Sequence, residues 1–191
     1  MLWLSRVILS ARMDIRVKSL IIREFEERDL RAFAHYRSDP SIAQYQSWSS
    51  YTYQDAVKLH GQMKSVPFGT VGYWFQLAIE DSAQSELIGD LAVHFVDDQQ
   101  IEIGFTVSPN HQRRGVAFTA VTALLTYLFK ELGKHRVYAV TDAENSASCL
   151  LLEKVGFRKE AHFIDNIYFK GAWGSECIYA ILNREWRKDH C

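Results

Sequence analysis

The sequence predicts an α+β fold: one mixed, mostly antiparallel sheet of seven strands, with helices packed on both faces. Three observations carry this. Apolar runs with the two-residue period of strands and runs with helical spacing follow one another as strand, two helices, three strands, helix, strand, helix, two strands. The three middle strands are separated only by residues 80–86 and 96–100, breaks short enough for an antiparallel meander. One strand–helix–strand unit, residues 101–141, is long enough to cross over and form a single parallel pairing, right-handed as such units are.

Taken in order, Leu20-Ile21-Ile22-Arg23-Glu24-Phe25 reads as the first strand. Helices follow over residues 27–37 and 53–64. Asp29 is a candidate cap for the first, and Pro40 prevents its continuation. An aromatic loop through Tyr45, Trp48 and Tyr51 joins the two. Residues 73–79, 87–95 and 101–107 are β-type runs. After Pro109, Ala117, Ala120, Val121, Leu124, Leu125, Leu128 and Leu132 recur at helical spacing up to Gly133. Residues 136–141 form the next strand. Asn145 is placed to cap a helix over 146–155, which Gly156 closes. Two last strands lie near 158–169 and 176–182.

No linker or repeat interrupts this pattern, so residues 14–191 form one domain behind a peripheral N-terminal extension, 1–13. Within that extension Arg6 divides the apolar residues, leaving neither the long core of a secretory signal nor a membrane span. The 22 basic and 23 acidic residues are interspersed, which gives no basic stripe for nucleic acid or membrane. Cys149, Cys177 and Cys191 are an odd set without metal-ligand spacing, so reduced thiols, a cytoplasmic location and no metal are the expectation.

The chemistry is concentrated in Glu102-Ile103-Gly104-Phe105-Thr106-Val107-Ser108-Pro109-Asn110-His111-Gln112-Arg113-Arg114-Gly115-Val116-Ala117. A strand ends, a turn follows, and a helix opens on Gln112-x-x-Gly115-x-Ala117. Helix N-termini present free N–H groups and partial positive charge, which suits phosphate. Small residues at 115 and 117 let a pyrophosphate approach the backbone, and Arg113 and Arg114 add charge. A strand–turn–helix with glycine for packing would explain a bare Gly-x-Ala; the whole context favours a ligand.

This segment resembles the acetyl-CoA signature of the GNAT superfamily of N-acetyltransferases, Arg/Gln-x-x-Gly-x-Gly/Ala at a strand-to-helix junction. Asn145-Ser146-Ala147-Ser148 and Leu152-Glu153-Lys154-Val155-Gly156-Phe157 resemble a second family segment. Together with Glu102-Ile103-Gly104-Phe105 they look closest to the RimJ/RimL-like branch, which acetylates ribosomal-protein N-termini. The resemblance implies an acetyl-CoA-dependent N-acetyltransferase without a metal, acting on a protein N-terminal amine or a small-molecule amine, as monomer or homodimer. It also implies that the amides of residues 112–117, including Val116, hold the pyrophosphate. Phe105, Thr106 and Val107 would offer a strand edge to the pantetheine arm. Asn145 would belong to the same cofactor site.

Amide formation needs a neutral amine, a stabilised oxyanion and a proton for the departing thiolate. Alternation puts Glu102, Gly104 and Thr106 on one face of their strand, and a carboxylate beside glycine on a central strand is a candidate general base. His94 is the rival. A two-residue turn at Asp98-Gln99 sets Phe95 opposite Glu102, whereas a register one residue different sets His94 there. Ser148 is the candidate proton donor to sulfur. Many family members use a tyrosine slightly further along, where this chain has Leu150, Leu151 and Leu152. Trp48 and Tyr51 are candidates for the acceptor groove, while Trp74 reads as core. A non-catalytic acyl-CoA-binding module is the alternative from another class. The sequence contains neither a Gly-x-Ser-x-Gly elbow nor a P-loop.

Overall fold

A computed structural model describes residues 13–189. The 1–13 extension and Cys191 therefore lie outside the described residues, apart from Met13, which is buried against the main core. In chain order the elements are β1 (Asp14–Val17), β2 (Leu20–Glu24), a 3₁₀ turn (Glu27–Asp29), α1 (Leu30–Arg37), α2 (Pro40–Ala43), α3 (Tyr53–Lys64), β3 (Trp74–Asp81), β4 (Glu86–Phe95) and β5 (Gln100–Val107). There follow a 3₁₀ turn (Pro109–His111), α4 (Val116–Thr126) with a π-helical extension (Tyr127–Glu131), β6 (Arg136–Asp142), α5 (Ser146–Val155), β7 (Arg158–Phe169), β8 (Ala172–Leu182) and α6 (Asn183–Asp189).

The sheet has eight strands, ordered β1-β2-β3-β4-β5-β6-β8-β7, and not the seven predicted. The additional strand is β1, an edge strand of four residues in which Asp14 and Arg16 face outward and bond to each other. So short a run with charges on alternate positions has no strand signal of its own; pairing with β2 creates it. Pro40 does end α1, and it also opens α2 as the residue after Asp39, whose carboxylate accepts from the Ser41 amide. Asp29 does not cap α1 with its side chain. It accepts two bonds from Arg23 and one from the Glu26 amide, and Arg23 also reaches Glu80, so two nearly buried carboxylates are tied to one guanidinium.

The helices divide by face. α4, α5 and α6 cover one side, where Leu77, Ile79, Leu91, Val93, Phe95, Ile101, Ile103 and Val137 meet Leu124, Leu125, Leu152 and Trp186 in the main core. Each such large side chain contributes about 1.5–3 kcal/mol on burial. On the opposite face α1 and α3 close a smaller cluster around Phe25, Phe33, Tyr36, Ala56 and Ala78.

All neighbouring strands are antiparallel except β5 and β6. That parallel pairing has only three rungs: Gln100–Arg136, Ile101–Val137 and Glu102–Tyr138. Both strands then continue, β5 to Val107 and β6 to Asp142, without pairing to each other. The result is a wedge in the middle of the sheet. β4 holds the other side of β5 throughout, and so closely at Gly89 that a Cβ there would stand 2.5 Å from the Thr106 carbonyl oxygen.

Candidate active site

Two adjacent cavities occupy the wedge and the turn beyond it. The inner one, about 240 Å³, runs between Ile103–Thr106 of β5 and Ala139–Asp142 of β6; Arg37 and Asp90 line it, as do Ile167, Phe169 and Glu176 of the β7–β8 hairpin. The outer one, about 600 Å³, follows Phe105, Thr106 and Val107 into the turn containing Gln112, Arg113 and Gly115, and passes along α4 and α5. Phe105, Thr106, Asn145 and Ser148 line both, together with Tyr45 and Gln46 from the segment after α2.

The local chain explains the outer trough. Beyond Glu102 the β6-facing edge of β5 has no strand partner, so backbone groups are left for another extended chain. The Gln112 side chain donates to the Val107 carbonyl (3.0 Å), fixing the start of the turn. Arg113 and Gly115 both take left-handed backbone, at φ 62° and 78°. Gly115 is the N-cap residue of α4, and a Cβ built there would meet nothing within 4 Å. Both its conformation and the open space in front of it therefore depend on glycine. The first helical hydrogen bond is Thr119 N–H to the Gly115 carbonyl (3.0 Å), so the amides just before it point out of the helix start. Gln112's own amide is turned back onto the Pro109 carbonyl at 3.4 Å and so does not face the trough as a free donor. Gly115 precedes the helix, so Gln112 to Gly115 form the turn and only Val116 and Ala117 of the signature lie, as predicted for all of it, in the first turn of α4.

The residues expected to bind cofactor therefore come together: Phe105, Thr106, Val107, Gln112, Arg113, Gly115, Val116, Ala117 and Asn145 all line the trough. Arg114 does not; it is exposed. His111 and Lys154 line it instead, Lys154 with its ammonium 5.2 Å from the centre of the Phe118 ring. Asn145 Oδ1 accepts from the Ser148 amide (3.2 Å), which caps α5 and holds the helix start at the junction of the two cavities.

The predicted acceptor residues are placed differently. Trp48 and Tyr51 line neither cavity. They pack on each other and on the Arg37 guanidinium, whose carbon lies 4.2, 4.7 and 5.4 Å from the ring centres of Phe33, Trp48 and Tyr51. A cation that is 93% buried needs such faces and a counter-ion, and Asp90 supplies the latter at 3.0 Å while accepting from Tyr36 (2.6 Å). Burial, and then the Asp90 charge, push the Tyr36 hydroxyl well above the ordinary tyrosine range. Trp74 is 44% exposed and stacks on His94, so it is not a core residue.

The hairpin register is the one that pairs His94 with Glu102. Glu102 sits on the last rung before the wedge opens, accepting from the Tyr138 hydroxyl (3.2 Å); burial and this carboxylate raise the tyrosine's pKa. Neither Glu102 nor His94 lines a cavity, whereas Ile103 and Gly104, next to Glu102, do. Ser148 lines both cavities. Arg37, Tyr45, Asp90, Asp142 and Glu176 are lining residues that sequence reasoning missed. Of these Asp90 carried a signal, as a carboxylate inside the apolar run Leu87-Ile88-Gly89-Asp90-Leu91, the same anomaly that marked Glu102.

Comparison with known proteins decides what such a wedge belongs to. A family model described as the Acetyltransferase (GNAT) domain matches residues 19–158. The chain belongs to the GNAT family. It is 34% identical over 175 residues to the uncharacterized N-acetyltransferase YnaD of Bacillus subtilis, covering 91% of this chain and 99% of that one. It is 26% identical over 156 residues to the spermidine N(1)-acetyltransferase of Vibrio cholerae, covering 81% and 87%. The crystal structure of a GNAT-family acetyltransferase from Bacillus anthracis superposes with a TM-score of 0.80 at 29% identity, covering 90% of this chain and 99% of that one. As a GNAT protein the chain is an acetyl-CoA-dependent acyltransferase that transfers acetyl to an amine. The trough fits that co-substrate, since the open space at Gly115 and the unpaired β5 edge answer to a diphosphate and an extended amide arm.

Proposed function

We propose that this GNAT enzyme acetylates a primary amine, of a protein N-terminus or a small molecule, by direct attack while both substrates are bound. One observation carries the reading: the trough that suits acetyl-CoA and the cavity between β5 and β6 are adjacent and share the walls Phe105, Thr106, Asn145 and Ser148. Thioester and amine can then be held together without a covalent enzyme intermediate, and holding them together is the main source of rate in such a reaction.

Glu102, reaching the cavity through one water, takes a proton from the ammonium form of the acceptor. The free amine forms the C–N bond as the C–S bond breaks. The second amine proton passes by way of the Ser148 hydroxyl to the departing sulfur. Tyr45 offers another hydroxyl on the wall of both cavities. Asp142 and Glu176 stand opposite each other on one rung of the β6–β8 pair and both line the inner cavity, which supports an acceptor that arrives as a cation. The test is free-thiol release from acetyl-CoA across N-terminal peptides, polyamines and aminoglycosides. We expect turnover with at least one class. Tight CoA binding with silence across all of them would sink the reading. Glu102→Gln should cut turnover of the active acceptor by about 100-fold or more, most severely at low pH, where the ammonium form dominates. An unchanged pH–rate profile would move the base elsewhere.

A further inference from the structure

Glu102 has company on its rung. The registers pair Trp74 with His94, His94 with Glu102, and Glu102 with Tyr138, so β3, β4, β5 and β6 present these four side chains in one row on the face opposite α4. The Trp74 indole stacks on the imidazole with ring centres 4.7 Å apart and planes 13° from parallel. On the other side, His94 Nδ1 lies 3.6 Å from Glu102 Oε2, within ion-pair range but too far for a hydrogen bond. That nitrogen is buried and has no hydrogen-bond partner among the described residues. The His94 side chain as a whole keeps 22% exposure, so the rest of the ring reaches water.

Other charges are accounted for. The Tyr138 hydroxyl donates to the same Glu102 oxygen, and Arg136 lies over the Tyr138 ring at 4.7 Å while bonded to Glu160 at 2.5 Å. The titratable groups that face the imidazole are therefore Glu102 from β5 and, behind it, Tyr138 and Arg136 from β6; β3 contributes only an uncharged ring.

A buried, unpartnered imidazole nitrogen is costly unless a second state uses it. Acetylation of an ammonium releases one proton per turnover, and a carboxylate base must lose that proton before the next cycle. We propose that His94 is a positioning residue that makes one proton-accepting dyad with Glu102 and carries the acceptor's proton out of the wedge. This rests on Glu102 as the base. An acceptor N–H bond breaks and its proton reaches the Glu102 carboxylate. From there it moves to His94 Nδ1, leaving imidazolium beside carboxylate. The exposed side of the ring gives a proton to bulk water, and exchange with solvent restores the starting tautomer. Trp74 holds the ring plane in line with Glu102 throughout.

With the two groups 3.6 Å apart, the pH dependence of kcat belongs to the pair and must change when either partner is removed. His94→Gln in the full-length enzyme, assayed with acetyl-CoA and the fastest acceptor of the panel, should lower kcat about 10–100-fold, the lower part of the range for a lost proton-transfer partner. The KM for acetyl-CoA should stay within about twofold, and the acid limb of kcat should move. Added imidazole should restore part of the loss in His94→Ala. A normal kcat and pH profile in His94→Gln, with Glu102→Gln impaired, overturns the dyad and leaves the base reading intact. Normal behaviour in both variants overturns both. A loss of kcat with an unmoved acid limb and no imidazole rescue makes His94 structural and also overturns the dyad. Should the His94 variants fail to fold, the histidine titration followed by NMR in wild type and Glu102→Gln decides. The His94 midpoint must fall when the carboxylate is removed, and an unmoved midpoint overturns the proposal.

Discussion

Gly115 combines a backbone angle that L side chains avoid with space that a side chain would fill, and the space opens on the trough. Gly115→Val should therefore raise the KM for acetyl-CoA at least tenfold, about 1.4 kcal/mol of lost binding, with a smaller effect on kcat at saturation. Steady-state kinetics with the co-substrate varied would show it, and unchanged affinity would remove the turn from the site. Asp90 is a different kind of residue. It is fully buried and is the carboxylate that faces Arg37, which is itself caged by three aromatic rings. Removing one member of a buried pair leaves the other charge uncompensated, so Asp90→Ala should cost about 3–5 kcal/mol in denaturant unfolding. A change below 1 kcal/mol would mean that water already reaches Arg37.

At the scale of elements, the start of α5 joins a helix cap to the walls of both cavities. Asn145 caps the helix through the Ser148 amide, and both residues stand where the two cavities meet. Asn145→Ala should cost about 1 kcal/mol as a lost cap and also reduce turnover, because Ser148 would lose its fixed position. Asn145→Ser, which can cap, should recover most of the stability. Thermal melts and kcat measured on the same two variants separate the contributions. Another element-scale device lies beside the inner cavity. The β7–β8 hairpin lines one wall, and Lys170 at its tip donates to the Ala43 carbonyl at the end of α2 (2.5 Å). Two segments 127 residues apart in the chain are thus joined.

For the whole molecule, several carboxyls sit below their ordinary range, each for a local reason. The Arg28 guanidinium holds Glu26 down, the Thr52 hydroxyl holds Asp55 down, and the Gln99 amide holds Asp97 down. At Glu160 burial pushes upward but bonds to Arg136 and Arg158 outweigh it. A depressed carboxyl contributes stability that is complete above the unfolded-state value, about pH 4, and fades as pH falls through the folded-state value. The melting temperature should therefore be level from about pH 6 to 5 and fall below about pH 4. The fall should be gradual, because these groups are exposed and each contributes little. A melting temperature that held to pH 2.5 would contradict this.

Much of this molecule was legible in the order of its residues. The α3 and α5 limits, the three-strand meander, Asn145 as a cap and the turn between β5 and α4 all rest on interactions within a few residues, and such interactions are written in local period and residue type. The same holds for most of the trough, because one strand, one turn and two helix starts supply it. β1 was not legible, since a short charged edge strand exists only through its neighbour. Nor was the fate of the aromatic loop: Trp48 and Tyr51 turn inward onto Arg37 at the end of α1, while Tyr45 from the same loop reaches the cavities. Whether His94 faced Glu102 was undecidable from period alone, since a shift of one residue exchanges the faces of a strand. The inner cavity draws on α1, the β7–β8 hairpin and strands β4, β5 and β6, which lie far apart in the chain. Sequence by itself therefore determined the family and most of the residues that line the trough. Tertiary structure decided which groups line the inner cavity, because that grouping depends on register and on contacts between distant segments, neither of which leaves a local trace.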